Sequence, residues 1–232
     1  WGWKTLAHPW AFRAKGRDVG VMVSGNAMAH LYLELARRER PWWPQLGFRW
    51  NGLVDRLLAL PSVDLALLPH GADRCEVRSR DRGIAVVERE HGRDGVRYSY
   101  RPRTGDPLGI GALEHLSADD AYDATIDSDY PDALVQVAAL AGSPRSGEIV
   151  LSAARGWDFR AKYEPIPHVS SHGALHREHM LVPVLTNAPV ARAPRRTVDV
   201  MPSALEALGL DVPAGLDGES WLRPGRRKSA VA

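Results

Sequence analysis

The sequence has a single cysteine, almost no net charge and no long apolar run. Cys75 is the only cysteine among 232 residues, which excludes an internal disulfide framework and a cysteine-based zinc knuckle. The 30 Lys and Arg residues nearly balance the 28 Asp and Glu residues, so the basic face of a nucleic-acid-binding protein is not predicted. No apolar run approaches the roughly 20 residues that a membrane helix needs. These absences leave an ordinary globular protein.

The two ends of the sequence also lack familiar features. The chain begins WGWKTLAHPW, without Met and without the charged start and apolar stretch of a signal peptide. We therefore interpret it as part of a longer protein whose N-terminal portion is missing. The single cysteine fits a reducing compartment and favours a cytoplasmic location. The basic residues 223–232 are predicted to form a disordered tail.

The apolar pattern predicts alternating helices and buried strands. Apolar residues recur at helical spacing up to Leu60, Pro61 stops the helix, and residues 63–68 have the pattern of a buried strand. A helix followed at once by such a strand indicates an α/β layer with a covered sheet. Further helices are predicted over 131–142 and 198–209, and Ser24-Gly25-Asn26 marks a turn between two strands.

Residues 74–102 have a different character. Short alternating segments are separated by Asp81-Arg82-Gly83 and by Asp94-Gly95, and the second pair is a strong hairpin signal. We predict a small antiparallel meander at the edge of the main sheet. Its many Arg and Glu side chains are expected to face solvent.

Four of the nine histidines fall within twelve residues, in the stretch HVSSHGALHREH. They are His168, His172, His176 and His179. Neutral imidazole is a good zinc ligand, and a catalytic zinc usually takes three protein ligands. A self-contained site of three of these histidines is one interpretation. For His176 and His179 a surface or hydrogen-bonded core role is preferred, since Gly173 stands where helical zinc proteases have Glu.

The wider pattern resembles the C-terminal part of the alkaline phosphatase superfamily, in particular its type I phosphodiesterase/nucleotide pyrophosphatase-like members. The stretches SSHGALHREHMLVPVLTN and RRTVDVMPSALEALGLDVPAGLDGES carry the resemblance. In that superfamily a late His-Gly loop supplies a metal ligand, followed by an apolar Val-Pro strand, a helix and an Asp-Gly turn. Here these features match His172-Gly173, Val182-Pro183, residues 197–209 and Asp217-Gly218. The rest of the sequence resembles the superfamily more weakly.

The resemblance implies a fold and a site. The fold would be α/β, an alkaline-phosphatase-like layered sheet with flanking helices, incomplete, with the small antiparallel excursion. His172 would be one metal ligand, oriented by an acceptor on its other ring nitrogen. Asp199, Asp158 and Glu178 are the candidates for that acceptor. The complete enzyme would hold two divalent ions, commonly zinc, and hydrolyse a small-molecule phosphate ester.

Other parts of the superfamily site are absent from the sequence. There is no Asp-His-Gly motif and no early strand that ends in Asp beside a Thr or Ser nucleophile. We therefore expect the chain to be a fragment of a metal-dependent hydrolase, inactive alone, with residues 1–232 forming the C-terminal portion of a single domain. His176 and His30 are additional site candidates, although a lone His on an apolar strand is more often a core residue. The alternatives are a non-catalytic α/β binding module and a sulfatase or mutase branch.

Overall fold

The protein is mixed α/β and is built around one nine-stranded sheet. The computed structural model describes residues 5–6, 17–36, 39–159 and 169–222, so His168 and the predicted tail 223–232 lie outside the described residues. The chain forms two compact units, residues 1–181 and 182–232. The strands belong to the first unit and are β1 (Thr5–Leu6), β2 (Val19–Ser24), β3 (Met28–Leu33), β4 (Val63–Gly71), β5 (Arg74–Ser79), β6 (Gly83–Gly92), β7 (Gly95–Gly105), β8 (Leu113–Leu116) and β9 (Ile149–Ala153).

The strand order in the sheet is β1-β2-β3-β9-β4-β5-β6-β7-β8. β1 pairs with β2 in parallel, and the other neighbouring strands pair antiparallel. The last strand along the chain, β9, therefore lies between β3 and β4. This insertion brings the segment after β9 close to the β2–β3 turn.

Helices cover both faces of the sheet. The first unit has α1 (Trp43–Leu58), α2 (Ala118–Thr125), α3 (Ala133–Gly142) and the short α4 (Arg177–Met180). The buried face of α1 packs with β3, β4 and β9 on one side of the sheet. Buried residues of α2 and α3 pack with β4 to β7 on the other side. The mixed α/β class predicted from the sequence is confirmed, and β4 and β9 are buried on both faces, as a covered sheet requires.

The predicted helix–strand boundary near Pro61 is confirmed. The proline-containing first turn of α1 follows Trp42, where the Gln45 side chain accepts a hydrogen bond from the Trp42 amide (3.1 Å). α1 ends at Leu58, and β4 begins at Val63. Because proline lacks an amide donor and clashes with the preceding helical turn, the helix cannot continue through Pro61.

The antiparallel meander predicted over 74–102 is present as β5, β6 and β7, although β7 extends to Gly105. Gly92 pairs with Gly95 across the expected hairpin turn. The meander continues the main sheet from β4 and ends with β8 at the edge. It is thus a large part of the sheet, with Cys75, Val77 and Tyr100 buried in the core.

The second unit contains a short 3₁₀ helix, Thr197–Asp199, and α5 (Val200–Ala207). Pro202 lies in the first turn of α5 and Gly209 follows the helix with φ +70°, as the sequence predicted. No helix of the described residues has both the length and the hydropathy to span a bilayer.

Candidate functional site

Several turns and strand ends lie together at one end of the sheet, across the strands. We call this end of the sheet the rim. In the antiparallel register, Met28 pairs with Ser152 and Val63 pairs with Ala153. The β2–β3 turn, the end of β9, the start of β4 and the β5–β6 turn therefore lie along this rim. Residues 169–180, here called the histidine loop, are attached to this rim. The Leu175 amide donates to Ser152 Oγ (3.0 Å) and anchors the loop on β9.

His172 is fixed to the β2–β3 turn by its backbone. Its amide donates to the Gly25 carbonyl (3.0 Å), and its carbonyl accepts from the Ala27 amide (3.0 Å). These bonds make a short parallel bridge between His172 and Asn26. The imidazole remains exposed. A loop held by paired backbone bonds therefore presents a histidine ring to solvent at the rim.

Two glycines make this close approach possible. At Gly25 (φ +62°) a Cβ atom would lie 2.5 Å from His172 Nδ1, so a side chain at position 25 would collide with the ring. At Gly173 (φ +107°) a Cβ atom would lie 2.8 Å from the Ser24 carbonyl oxygen. Both positions need glycine for their positive φ and for the missing side chain.

A first cleft opens beside His172. Residues 156–158, residues 169–171 and His179 line it, with a volume of about 250 Å³. The Phe159 amide donates to the Asn26 carbonyl (2.7 Å), which ties the segment after β9 to the same turn as His172. The Ala174 amide donates to Nδ1 of His179 (3.2 Å). Burial is the main cause that lowers the pKa of His179.

A second cleft of about 250 Å³ lies on the rim where β4 begins. Asp64 is its central acceptor, because Arg82 Nη2 donates to one carboxylate oxygen (2.6 Å) and the Tyr130 hydroxyl donates to the other (2.7 Å). Arg82 Nη2 also donates to the Tyr130 oxygen (2.8 Å). On the other side Arg155 Nη2 donates to Asp129 (2.7 Å). The remaining lining residue is His176.

His176 is the unusual member of this cleft. The residue is 3% exposed, and neither ring nitrogen has a hydrogen-bond partner among the described residues. Its ring lies against His179, with 4.2 Å between the ring centroids. Burial, followed by the nearby charge of His179, lowers its pKa. The two rings are tilted by 42° to each other, one beside each cleft. The lowered pKa favours the neutral form of His176.

The residues predicted for the site are divided among several places. Asp158 lines the first cleft, beside His172 on the rim. Glu178 lies nearer the second cleft, where it pairs with Arg155 Nε (3.7 Å). His30 accepts a hydrogen bond from the Gly147 amide (3.1 Å), at the end of β9 away from the rim.

Asp199 belongs to the second unit and has partners within it. Its carboxylate accepts hydrogen bonds from the amides of Arg195 (3.2 Å) and Glu219 (3.0 Å). It also pairs with Arg192 (3.3 Å). These contacts lower its pKa against the opposing effect of burial, which is the largest influence. Asp199 thus stabilises the start of α5 and the 219–221 segment.

The described residues contain no group of three or more His, Cys, Asp or Glu side chains placed to hold a metal ion. His172, His176 and His179 therefore do not make a self-contained metal site in these parts of the chain. No protein-family model, no curated protein and no solved structure matches the chain.

Sequence reasoning missed the second cleft. Its six lining residues come from five separate segments, so no local spacing connects them. Arg82 is exposed, as expected for the charges of the meander, but its contacts with Asp64 and Tyr130 were not predicted. The sequence did offer one indication of the cleft, the position of its polar residues at strand ends. Arg155 follows a buried strand, and Asp64 lies at the start of another. Polar residues at strand ends often form binding sites.

Proposed function

We propose that this chain is the C-terminal portion of a metal-dependent hydrolase of phosphate esters, of the phosphodiesterase or phosphatase type. The proposal includes an alkaline-phosphatase-like layering of the complete sheet. It rests on the motif resemblance around His172-Gly173 together with the position of His172. The Val-Pro strand that the resemblance implied is not formed, since residues 181–186 have no regular secondary structure. The observation that carries it is the exposed His172 imidazole, held over Gly25 by two backbone hydrogen bonds.

This arrangement fits one ligand of a divalent ion such as zinc. A protein ligand must be accessible and held in a fixed position, and a second-shell acceptor usually orients the imidazole. Among the three proposed acceptors, Asp158 lines the cleft beside the histidine loop. Glu178 has Arg155 as its partner instead.

The described residues do not complete a metal site. A catalytic zinc usually has three protein ligands, and no group of that size occurs among them. The proposal therefore requires further ligands and the nucleophile from polypeptide outside the described residues. The substrate would be a small-molecule phosphate ester, with the two ions of the complete enzyme polarising its phosphoryl group. The chain alone would be inert.

A non-catalytic α/β binding module is the second candidate. The second cleft favours it, because this polar cavity is formed by the chain without a metal ion or an added segment. A binding module would need only such a cleft. In the hydrolase the histidine loop would supply a metal ligand for catalysis, whereas in the binding module it would have no catalytic role.

Hydrolysis of a nitrophenyl phosphodiester with zinc or manganese distinguishes them. Two preparations are compared, the 232-residue chain and the longest polypeptide that its gene encodes. We expect nitrophenol release from the longer polypeptide alone. His172→Ala should lower its kcat/KM by at least about 100-fold, since loss of an outer-shell partner alone costs roughly 10–100-fold.

The matched control is His91→Ala. His91 is an exposed histidine on β6 that contacts Asp73 (3.1 Å), and its replacement should leave turnover unchanged. Turnover by the 232-residue chain alone would contradict the requirement for outside ligands. An unaffected His172→Ala enzyme would refute the metal-ligand role. Absence of turnover from both preparations would favour the binding module.

A further inference from the structure

The second cleft has balanced charge and an unusually rich supply of hydrogen-bonding groups. Its two guanidinium groups, Arg82 and Arg155, each pair with a carboxylate at 2.6–2.7 Å. His176 is neutral, so the cleft has no net positive charge. A bare anion would have to compete with Asp64 and Asp129 for the same guanidinium groups. The lining therefore does not favour a phosphate or carboxylate ligand.

The lining presents donors and acceptors side by side. A guanidinium has five N–H donors, and Arg82 uses its Nε and Nη2 groups in bonds to Pro107, Asp64 and Tyr130. Ionised Asp64 and Asp129 can each accept several hydrogen bonds. A hydroxyl group donates one hydrogen bond and accepts others, so neighbouring hydroxyls match such a mixed lining.

The buried ring of His176 is the observation that indicates a ligand. A buried polar group without a partner costs roughly 1–3 kcal/mol, and His176 has two such nitrogens among the described residues. The neutral imidazole offers one donor and one acceptor. Because the two nitrogens point in different directions, one hydroxyl of a ligand in the cleft would pair with one of them.

We propose that the second cleft binds a polyhydroxylated group, a sugar or other polyol, through His176, Arg155, Arg82 and Asp64. Binding of the polyol does not depend on the function proposed above. If the His172 site hydrolyses phosphate esters, the polyol would be part of the alcohol that is esterified, and this extension does rest on the proposed function. The histidine loop would then join the two sites, since His176 faces one cleft and the adjoining His179 the other.

The test is a binding measurement on the 232-residue chain without metal. Myo-inositol and glucose are the polyol probes, cyclohexanol is a six-membered ring with one hydroxyl, and inorganic phosphate is the anionic comparator. Binding is followed by NMR of the histidine side-chain nitrogens. We expect the polyols to bind saturably and to shift the two ring nitrogens of His176, with no such shift from cyclohexanol or phosphate.

Two variants and one matched control complete the test. Arg155→Ala should weaken polyol binding about tenfold or more, because it removes a charged donor. Arg80→Ala is the control, since Arg80 is equally exposed and also paired with a carboxylate, but lies outside the cleft. His176→Phe should abolish binding without lowering stability, because it removes two unpartnered nitrogens and keeps a ring.

Several outcomes would overturn the proposal. Phosphate binding without polyol binding would make the cleft an anion site, and equal binding of cyclohexanol would make it an apolar one. If none of the probes binds, the cleft is filled by water and the polyol proposal is refuted. Equal effects of Arg155→Ala and Arg80→Ala would place the polyol elsewhere. Since no hydrolysis is measured, these failures are separate from those of the proposed phosphate-ester chemistry.

Discussion

At the scale of single residues, the position of His172 depends on the absence of a side chain at Gly25. Nδ1 of the ring lies only 2.5 Å from the place that a Cβ atom of residue 25 would take. The backbone at Gly25 also has φ +62°. A substitution there combines a conformational cost with a steric one. The two costs can be separated because Gly109 has almost the same φ, +64°, with open space around its Cα.

We predict that Gly25→Ala lowers the free energy of unfolding more than Gly109→Ala does. Both replacements place a Cβ atom at positive φ, which costs roughly 1–2 kcal/mol. Gly25→Ala should cost about a further 1–3 kcal/mol, as overpacking typically does. Urea unfolding of both variants measures the difference. Equal losses would show that the His172 ring is not held against the turn.

The sequence predicted that His172 lies in a loop but did not predict the partners around it. The His-Gly pair marked a turn, because Gly173 can adopt a positive φ that other residues avoid. The second cleft left no comparable signal. Asp64, Arg82, Tyr130 and His176 are brought together by strand order, and long-range pairing is not encoded in local periodicity. Local patterns therefore predicted the loop, and only the folded chain shows the clefts.

At the scale of elements, the sequence predicted where helices and strands end but not which strands lie next to each other in the sheet. Pro61 and Asp94-Gly95 marked the end of a helix and a hairpin through local backbone chemistry. The place of β9 between β3 and β4 depends on pairing with residues more than 80 positions away. One partly buried arginine, Arg40, joins several of these distant elements.

Arg40 connects the segment before α1 to the α3–β9 connection. Its Nη1 donates to the Ser143 carbonyl (2.7 Å) and its Nη2 to the Gly147 carbonyl (3.1 Å). Its Nε lies 3.7 Å from buried Glu148. Glu148 in turn accepts from the Leu33 amide (2.7 Å). Removal of Arg40 would leave this carboxylate buried without its cation.

We predict that Arg40→Ala lowers the free energy of unfolding at pH 7 by roughly 3–5 kcal/mol, the usual cost of breaking a buried ion pair. Arg80→Ala, at an exposed pair, should change it by less than about 0.5 kcal/mol. Urea unfolding measures both. Similar small losses for the two variants would show that the Arg40 contacts contribute little.

The loss at Arg40 should depend on pH in a defined direction. Burial is the main cause that raises the pKa of Glu148 above 4.5, and the attraction of Arg40 partly opposes it. Below its folded pKa the Glu148 side chain is protonated and leaves no unpaired charge. The destabilisation by Arg40→Ala should therefore shrink as the pH falls from 7 through the raised pKa of Glu148. A loss that is constant down to pH 4.5 would contradict this account.

At the scale of the whole molecule, the second unit exposes many apolar side chains. Among its described residues, eleven large hydrophobic side chains are exposed: Val182, Val184, Leu185, Val190, Val198, Val200, Met201, Leu208, Leu210, Val212 and Leu216. Trp221 and Leu222 are buried. Single soluble proteins rarely expose so much apolar surface without a partner.

We predict that the purified chain self-associates in a concentration-dependent way. The double variant Leu185→Gln and Leu208→Gln should reduce association, because it removes two of the most exposed apolar side chains of the second unit. Phe48→Gln is the control, since Phe48 is a fully exposed apolar residue on α1 in the first unit. Light scattering coupled to size exclusion measures the mass. A monomer at every concentration, or an equal effect of Phe48→Gln, would contradict the prediction.

The most direct measurement is a zinc titration followed by NMR of the nine histidine side chains. If His172 is an accessible ligand whose co-ligands belong to other polypeptide, zinc should bind weakly and shift the His172 ring first. The shift should vanish in His172→Ala and persist in His91→Ala. Tight, stoichiometric zinc binding that survives His172→Ala, or shifts centred on other histidines, would contradict the account.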